Sequence, residues 1–277
     1  MRQTITGEQI RHFIEEDLGV GDVTAAIIPA VTRASAEVIT REAVVLCGQA
    51  WFEAVFAYLD ASIQITWLHA EGSAVPADTL LCRLDGPARA LLTGERTALN
   101  LLQSLSATAT LSRRYAEAVA GTSCKVLDTR KTIPGLRVAQ KYAVTCGGCY
   151  NHRMGLYDAV LIKENHIMAA GSIANAVNTA RQQTAVWIEV EVESLAELRE
   201  ALQAKPNRIM LDNFSVAELR EAVRFVDGNI ELEASGNIRL ENIREIAQTG
   251  VDFISIGALT KDIKAVDLSM RIQLIQA

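Results

Sequence analysis

The sequence predicts an α/β protein in which a barrel of parallel strands follows an α+β region, and three observations lead to this fold class. From about residue 125 onward, short apolar and β-branched segments recur, and the last four begin about 21 to 23 residues apart. Amphipathic segments of about ten residues lie between them, as in consecutive βαβ units with right-handed crossovers. Each apolar segment ends in polar residues or glycine, as strands do on the face of a barrel that carries the active site.

The predicted strands are almost continuously apolar, which is typical of parallel strands that are covered on both faces. They span residues 126–129, 159–163, 187–192, 208–211, 230–234 and 253–256. The predicted helices span residues 172–182, 194–204, 215–225 and 239–249. Three of these helices open on serine, a preferred N-cap, and Gly250 is a candidate C-cap for the last one.

Residues 1–110 lack this repeat, and we interpret them as an α+β domain that the C-terminal stretch 268–277 rejoins. The barrel domain then spans residues 111–267. Within the first domain, Gly86-Pro87 is predicted to form a turn, and a long helix is predicted from about Leu91.

Composition narrows the class of protein. A chain of 277 residues that is 49% hydrophobic can bury a large core. The net charge of −6 argues against a nucleic-acid binder that works through bulk electrostatics. We find neither a signal-peptide pattern nor an apolar run of membrane-spanning length. The odd count of five cysteines fits free thiols, so we expect a reducing, cytoplasmic setting.

The sequence Cys146-Gly-Gly-Cys149 allows more than one interpretation. We favour a glycine turn that ends a helix starting after Pro134, because no second C-x-x-C or paired histidines accompany it. A redox pair and half of a zinc site are the alternatives.

Side chains at the predicted strand ends suggest an anionic substrate. The cationic candidates are Arg130, Lys131, His152, Arg153 and Lys163. Two arginines suit a polycarboxylate, because each guanidinium binds a carboxylate through two parallel hydrogen bonds. Charged residues are also common wherever strands reach the surface, but six strand ends with different chemistries favour an active face.

Other strand ends suggest a phosphate and a metal ion. Glu191 and Asp212 are suited to hold Mg²⁺ and sugar hydroxyls. Glycine-containing turns at 235–237 and 257–258 offer backbone N–H groups to a phosphate. In WIEVEVE, alternation places Glu189, Glu191 and Glu193 on the same side of the strand. If that side faces the barrel interior, a buried carboxylate needs a basic partner, which Lys131 or Lys163 could supply.

The longest motifs resemble the quinolinate phosphoribosyltransferase family over nearly the whole chain. They are DTRKTIPGLRVAQKYAVTCGG, NHRMGLYDAVLIKENHI, EVEVE, MLDNF, SGNI and ISIGALT. The resemblance implies an incomplete, open α/β barrel of the type II phosphoribosyltransferase kind with an N-terminal α+β domain. It also implies phosphoribosyl transfer from phosphoribosyl pyrophosphate (PRPP) to quinolinate with Mg²⁺, which yields nicotinate mononucleotide, pyrophosphate and CO₂ in NAD biosynthesis.

The resemblance also assigns roles to matching positions. It implies that quinolinate is bound by Arg96, Arg130, His152, Arg153 and Lys163. It implies that PRPP and its phosphates are bound by Lys131, Glu191, Asp212, Ser235, Gly236, Asn237, Gly257 and Ala258. Of these, Lys131, Glu191 and Asp212 would be catalytic, and the two acids would hold Mg²⁺, mostly through water and PRPP. The arginine that matches Arg96 enters the neighbouring subunit's site in the family, so a homodimer is implied.

One position departs from the family pattern. Cys149 stands where a third glycine is usual, and it would be strained by about 1 kcal/mol if that position required a positive φ. Two rival functions stay open at this point. One is a paralogous pyrophosphorylase or phosphoribosyltransferase that acts on another base, and the other is a non-catalytic barrel scaffold.

Overall fold

In a computed structural model of the chain, the structure describes residues 5–275, which form two compact units. The first unit comprises residues 5–111, Val138–Gly147 and 263–275 of that part of the chain. The second comprises Ser112–Arg137 and Gly148–Asp262. The domain boundaries at residues 110 and 268 stay a prediction, and the compact units add that Val138–Gly147 belongs with the first unit.

The elements alternate as the sequence predicts in the second half of the chain. The strands are β1 (Arg33–Thr40), β2 (Val44–Val45), β3 (Gln64–Trp67), β4 (Ala74–Val75), β5 (Thr79–Pro87), β6 (Lys125–Leu127), β7 (Ala159–Ile162), β8 (Trp187–Val192), β9 (Arg208–Asp212), β10 (Glu231–Ser235), β11 (Phe253–Ser255) and β12 (Leu268–Ile275). The α-helices are α1 (Gly7–Leu18), α2 (Gln49–Leu59), α3 (Ala88–Ala118), α4 (Arg137–Cys146), α5 (Glu164–Ala170), α6 (Ile173–Gln183), α7 (Leu195–Ala204), α8 (Val216–Val226), α9 (Ile243–Ala247) and α10 (Ala258–Lys261).

The first unit contains an antiparallel sheet with the strand order β12-β1-β5-β3. Alternate residues of β1 are buried, so one face of this strand packs on the core while the other is more exposed. The predicted turn at Gly86-Pro87 is wrong, because both residues end β5 and pair with β1. A Cβ at residue 86 would lie 2.6 Å from Ile63 Cγ1, so the glycine allows close packing within the strand. The long helix accordingly begins at Ala88 rather than Leu91.

The second unit is built on a parallel sheet with the strand order β6-β11-β10-β9-β8-β7. Its outer strands, β6 and β7, do not pair with each other within residues 5–275. The sheet is therefore an open barrel, as the resemblance implied. Because all six strands run in the same direction, their carboxyl ends meet on one face.

Capping explains why the helices of the second unit start where they do. The predicted N-caps Ser172, Ser194 and Ser215 are confirmed, since each hydroxyl accepts a hydrogen bond from a backbone N–H three residues on. The last of the predicted helices corresponds to α9 and starts later than predicted, at Ile243. The preceding residues form a turn in which Asn242 Oδ1 accepts the backbone N–H of residue 239 at 2.7 Å.

The glycine turn after α4 is also confirmed, since the helix ends at Cys146 and Gly148 has a φ of +96°. Cys149 is not among the residues with positive φ, so the condition for backbone strain at this position is not met. Its buried thiol instead donates to Ser112 O at 3.1 Å. No helix within residues 5–275 has both the length and the apolar character needed to cross a membrane.

Candidate active site

The carboxyl ends of the six parallel strands line two cavities of about 420 and 470 Å³. The first is lined by the predicted site residues Arg130, Lys131, His152, Arg153, Lys163, Glu191, Asp212 and Ser235. The second is lined by Lys131, Asp212, Ser235, Gly236, Asn237, Gly257 and Ala258. The shared lining residues show that the cavities adjoin. Arg96 lies exposed on α3 and is not among these lining residues.

Two guanidinium groups give the first cavity its strong positive character. Burial lowers the pKa of Arg153, and repulsion by Arg130 lowers it further. Arg130 Nε is buried and has no hydrogen-bond partner among the described residues. A bound anion would offset the repulsion between these two guanidiniums and could accept a hydrogen bond from Arg130 Nε.

A hydrogen-bond network fixes the backbone that carries Arg153. The fully buried Asp128 accepts the backbone N–H of His152 at 2.9 Å and the amide of Asn151 at 2.6 Å. The backbone N–H of Arg153 donates to His152 Nδ1 at 2.8 Å, and Arg153 Nη1 donates to Ala159 O at 3.1 Å. Hydrogen bonds therefore hold both the backbone and the guanidinium of Arg153.

Carboxylates also line the first cavity. Lys163 forms an ion pair with Glu191, one of the pairings that the sequence predicted for this strand. Asp212, at the end of the neighbouring strand β9, accepts a hydrogen bond from the Asn213 amide at 2.7 Å. Repulsion, chiefly by Glu164, raises the pKa of Glu193 nearby. Carboxylate oxygens are the ligands that a hard cation such as Mg²⁺ prefers.

The second cavity is shaped by two glycine turns. The side chain of Lys131 lies across Gly257, where a Cβ would be 3.0 Å from Lys131 Cδ. Gly236 and Asn237 both have positive φ, and Asn237 Nδ2 donates to Asn213 Oδ1 at 3.2 Å. Glycine turns of this kind can offer backbone N–H groups to an anion such as phosphate.

The sequence did not reveal the buried charges next to His152. A buried carboxylate on β8 was expected to pair with Lys131 or Lys163, but Glu189 pairs with neither. Its Oε2 lies 2.8 Å from His152 Nε2 instead. Glu233 is also fully buried and pairs with Arg208 at 3.1 Å. Alternation in the segment ELEAS, which places its two glutamates on one face, was a signal for Glu233.

The comparisons with known proteins agree with this geometry. Residues 22–106 match the family model described as quinolinate phosphoribosyl transferase, N-terminal domain, and residues 108–271 match the C-terminal domain model. A probable nicotinate-nucleotide pyrophosphorylase [carboxylating] of Bacillus subtilis is 42% identical over 96% of this chain and 92% of its own.

Solved structures show the same likeness in three dimensions. The nicotinate-nucleotide pyrophosphorylase from Francisella tularensis has a TM-score of 0.94 and 48% identity, and the match covers 98% of each chain. NadC from Streptococcus pyogenes has a TM-score of 0.94 and 37% identity over 99% of this chain and all of its own. Human nicotinic acid phosphoribosyltransferase, at 13% identity and a TM-score of 0.62, shares the fold alone. From its motifs, its open barrel and these relatives, the chain belongs to the quinolinate phosphoribosyltransferase family.

Proposed function

We propose that this protein transfers the phosphoribosyl group of PRPP to quinolinate and releases pyrophosphate and CO₂, so that nicotinate mononucleotide is formed. The observation that carries the proposal is the pair of guanidiniums, Arg130 and Arg153, which repel each other in one cavity beside Lys163. A dicarboxylate such as quinolinate supplies the two negative charges that this arrangement lacks. The names of the relatives support the same reaction.

The two cavities divide the substrates between them. Quinolinate occupies the first cavity, where the carboxylate binders are Arg130, Arg153 and Lys163. The family resemblance also implies His152, but both of its ring nitrogens are already hydrogen-bonded within the protein. The phosphate of PRPP occupies the second cavity, against the turns at 235–237 and 257–258. Lys131 lines both cavities, which supports the assignment of its ammonium to the pyrophosphate of PRPP.

The chain's own residues orient the reactants and stabilise charge. As the ring nitrogen attacks C1′, the ribose gains oxocarbenium character, which the carboxylates of Glu191 and Asp212 offset. Lys131 stabilises the charge on the departing pyrophosphate. Mg²⁺, held by the same two carboxylates and by PRPP, would supply further neutralisation of that charge.

Decarboxylation follows from the product's own chemistry. Transfer makes the ring nitrogen cationic, and this cation stabilises the carbanion left when the adjacent carboxylate departs as CO₂. The protein then contributes orientation and exclusion of water rather than a strong acid or base. The carbanion takes up a proton and yields the nicotinate ring.

Measuring labelled CO₂ from carboxyl-labelled quinolinate tests the reaction. Release should require both PRPP and quinolinate and should fall about a hundredfold in Arg153→Ala, because a charge-assisted bond is lost. Arg220→Ala, which removes an exposed arginine of α8, is the matched control and should leave the rate unchanged. Ribosylation of nicotinate without CO₂ release would support the paralogous function, and ligand binding without turnover would support the scaffold.

We also propose a homodimer in which Arg96 enters the partner's site, which agrees with its exposed position on α3. Mixing Arg96→Ala with Arg153→Ala subunits tests this. Random exchange makes half of the dimers mixed, and each mixed dimer has one intact site, so about a quarter of the activity should return. No recovery after verified exchange would place Arg96 in its own subunit's site, and full activity of Arg96→Ala alone would place Arg96 outside the chemistry. The five free cysteines support the cytoplasm as the compartment.

A further inference from the structure

His152 is held in one tautomer by the protein itself. The backbone N–H of Arg153 can only donate, and it lies 2.8 Å from His152 Nδ1, so that ring nitrogen carries no proton. The proton therefore sits on Nε2, which lies 2.8 Å from Glu189 Oε2. Both ring nitrogens are thus used within the protein, and the imidazole side chain is only 6% exposed.

A second buried carboxylate, Glu233, also lies near His152. Glu189 and Glu233 are both fully buried, and Glu233 Oε2 lies 3.6 Å from His152 Nε2. Arg208 donates to Glu233 at 3.1 Å, and its guanidinium lies 3.6 Å from the centre of the Phe253 ring. The three charged residues come from three neighbouring strands, β8, β9 and β10. Two of them, Glu189 and Glu233, lie next to His152, which lines the first cavity.

We propose that Glu189 is a positioning residue for quinolinate binding: it holds the imidazole of His152, which in turn fixes the backbone and guanidinium of Arg153. In this arrangement His152 is a clamp and not a direct ligand. A direct contact would require the ring to break one of its two hydrogen bonds and leave a buried partner unsatisfied. The inference rests on the proposed function, because it assigns Arg153 to a quinolinate carboxylate.

Two substitutions of Glu189 separate the clamp from a direct ligand. Glu189→Leu removes the acceptor, so we expect KM for quinolinate to rise about 10–100-fold, as when an outer-shell partner is lost, while KM for PRPP changes less than about twofold. Glu189→Gln keeps an acceptor for the Nε2 proton and should restore KM for quinolinate to within about threefold of wild type. If His152 binds quinolinate directly, Glu189→Leu frees its N–H and KM for quinolinate stays the same or falls, which would overturn the proposal.

Folding and function need separate readouts. A similar rise in both KM values, together with a lower melting temperature in both variants, would show a merely structural role and would also overturn the proposal. The chain has four histidines, so ¹⁵N-histidine spectra, assigned with His152→Gln, report the tautomer without any turnover. We expect the Nε2–H tautomer in wild type and in Glu189→Gln, and mixed tautomers in Glu189→Leu.

The spectrum also keeps the two proposals distinguishable. A wild-type His152 that is protonated on Nδ1 at neutral pH would overturn the clamp even if the enzyme releases CO₂ from quinolinate. A wild-type protein that shows the Nε2–H tautomer, with the Glu189-dependent change, but does not consume quinolinate would support the clamp and refute the proposed function.

Discussion

Replacing Gly236 with alanine tests the phosphate turn with a magnitude that follows from the geometry. The added Cβ would lie 2.2 Å from Asn213 Oδ1 and 2.9 Å from the Asn213 backbone nitrogen. That nitrogen donates to Ser235 O at 2.9 Å, so rotation of the Asn213 side chain alone does not relieve the clash. The φ of +92° adds about 1–2 kcal/mol for any L side chain, and overpacking adds about 1–3 kcal/mol.

The matched control is Gly228→Ala, since Gly228 has a φ of +71° and no atom of the described residues lies within 4 Å of the position that its Cβ would take. This control should lose only the conformational part, about 1–2 kcal/mol, which is about 2–6 °C in melting temperature. Gly236→Ala should lose about 2–5 kcal/mol, or about 5–15 °C, and should raise KM for PRPP about tenfold or more. Circular dichroism and initial rates measure both effects. Equal melting temperatures in the two variants, or an unchanged KM for PRPP, would refute the reasoning.

Three further predictions concern single groups. Lys163→Met removes a charge-assisted contact, so initial rates should show KM for quinolinate about tenfold higher or more; an unchanged value would remove Lys163 from the binding set. Burial, the larger cause, raises the pKa of Glu189 and Glu233 to about 7, above the unfolded value, so the folded state retains protons that the unfolded chain releases. The melting temperature should therefore fall as pH rises from about 5 to about 8, and the fall should be smaller in Glu233→Gln; identical pH profiles would contradict this. A hydrogen bond from a neighbouring thiol lowers the pKa of Cys146, so peptide mapping should find it alkylated first by iodoacetamide, and faster labelling of another cysteine would count against it.

The periodicity of the sequence predicted the parallel strands well because it depends on local burial. The strand predicted at 187–192 matches β8, and the serine N-caps lie where hydroxyls satisfy the first backbone donors. The polar residues after each strand also lie together, since parallel strands bring their carboxyl ends to one face. These features can be predicted without knowing the order of the strands in the sheet.

Pairing across strands is what the sequence alone did not reveal. Alternation placed Glu189 on one side of β8, but its partner depends on the register with β9 and β10 and on the segment after β6. The sequence therefore suggested the nearest lysines, whereas the structure supplies His152, with Arg208 behind Glu233. Likewise, an amphipathic pattern predicts the helix after Pro134 but does not say that Val138–Gly147 belongs with the first compact unit.

The pairing of β1 with β12 has a consequence for the chain as it leaves the ribosome. β1 ends at Thr40, and its partner starts at Leu268, so roughly 230 residues must be synthesised between them. At about 5–20 residues per second, one edge of β1 stays open for about 10–45 seconds. An open edge can pair with another nascent chain, so slow translation of the 3′ part of the mRNA would favour aggregation. Chaperone demand should therefore depend on how fast the last strand is made.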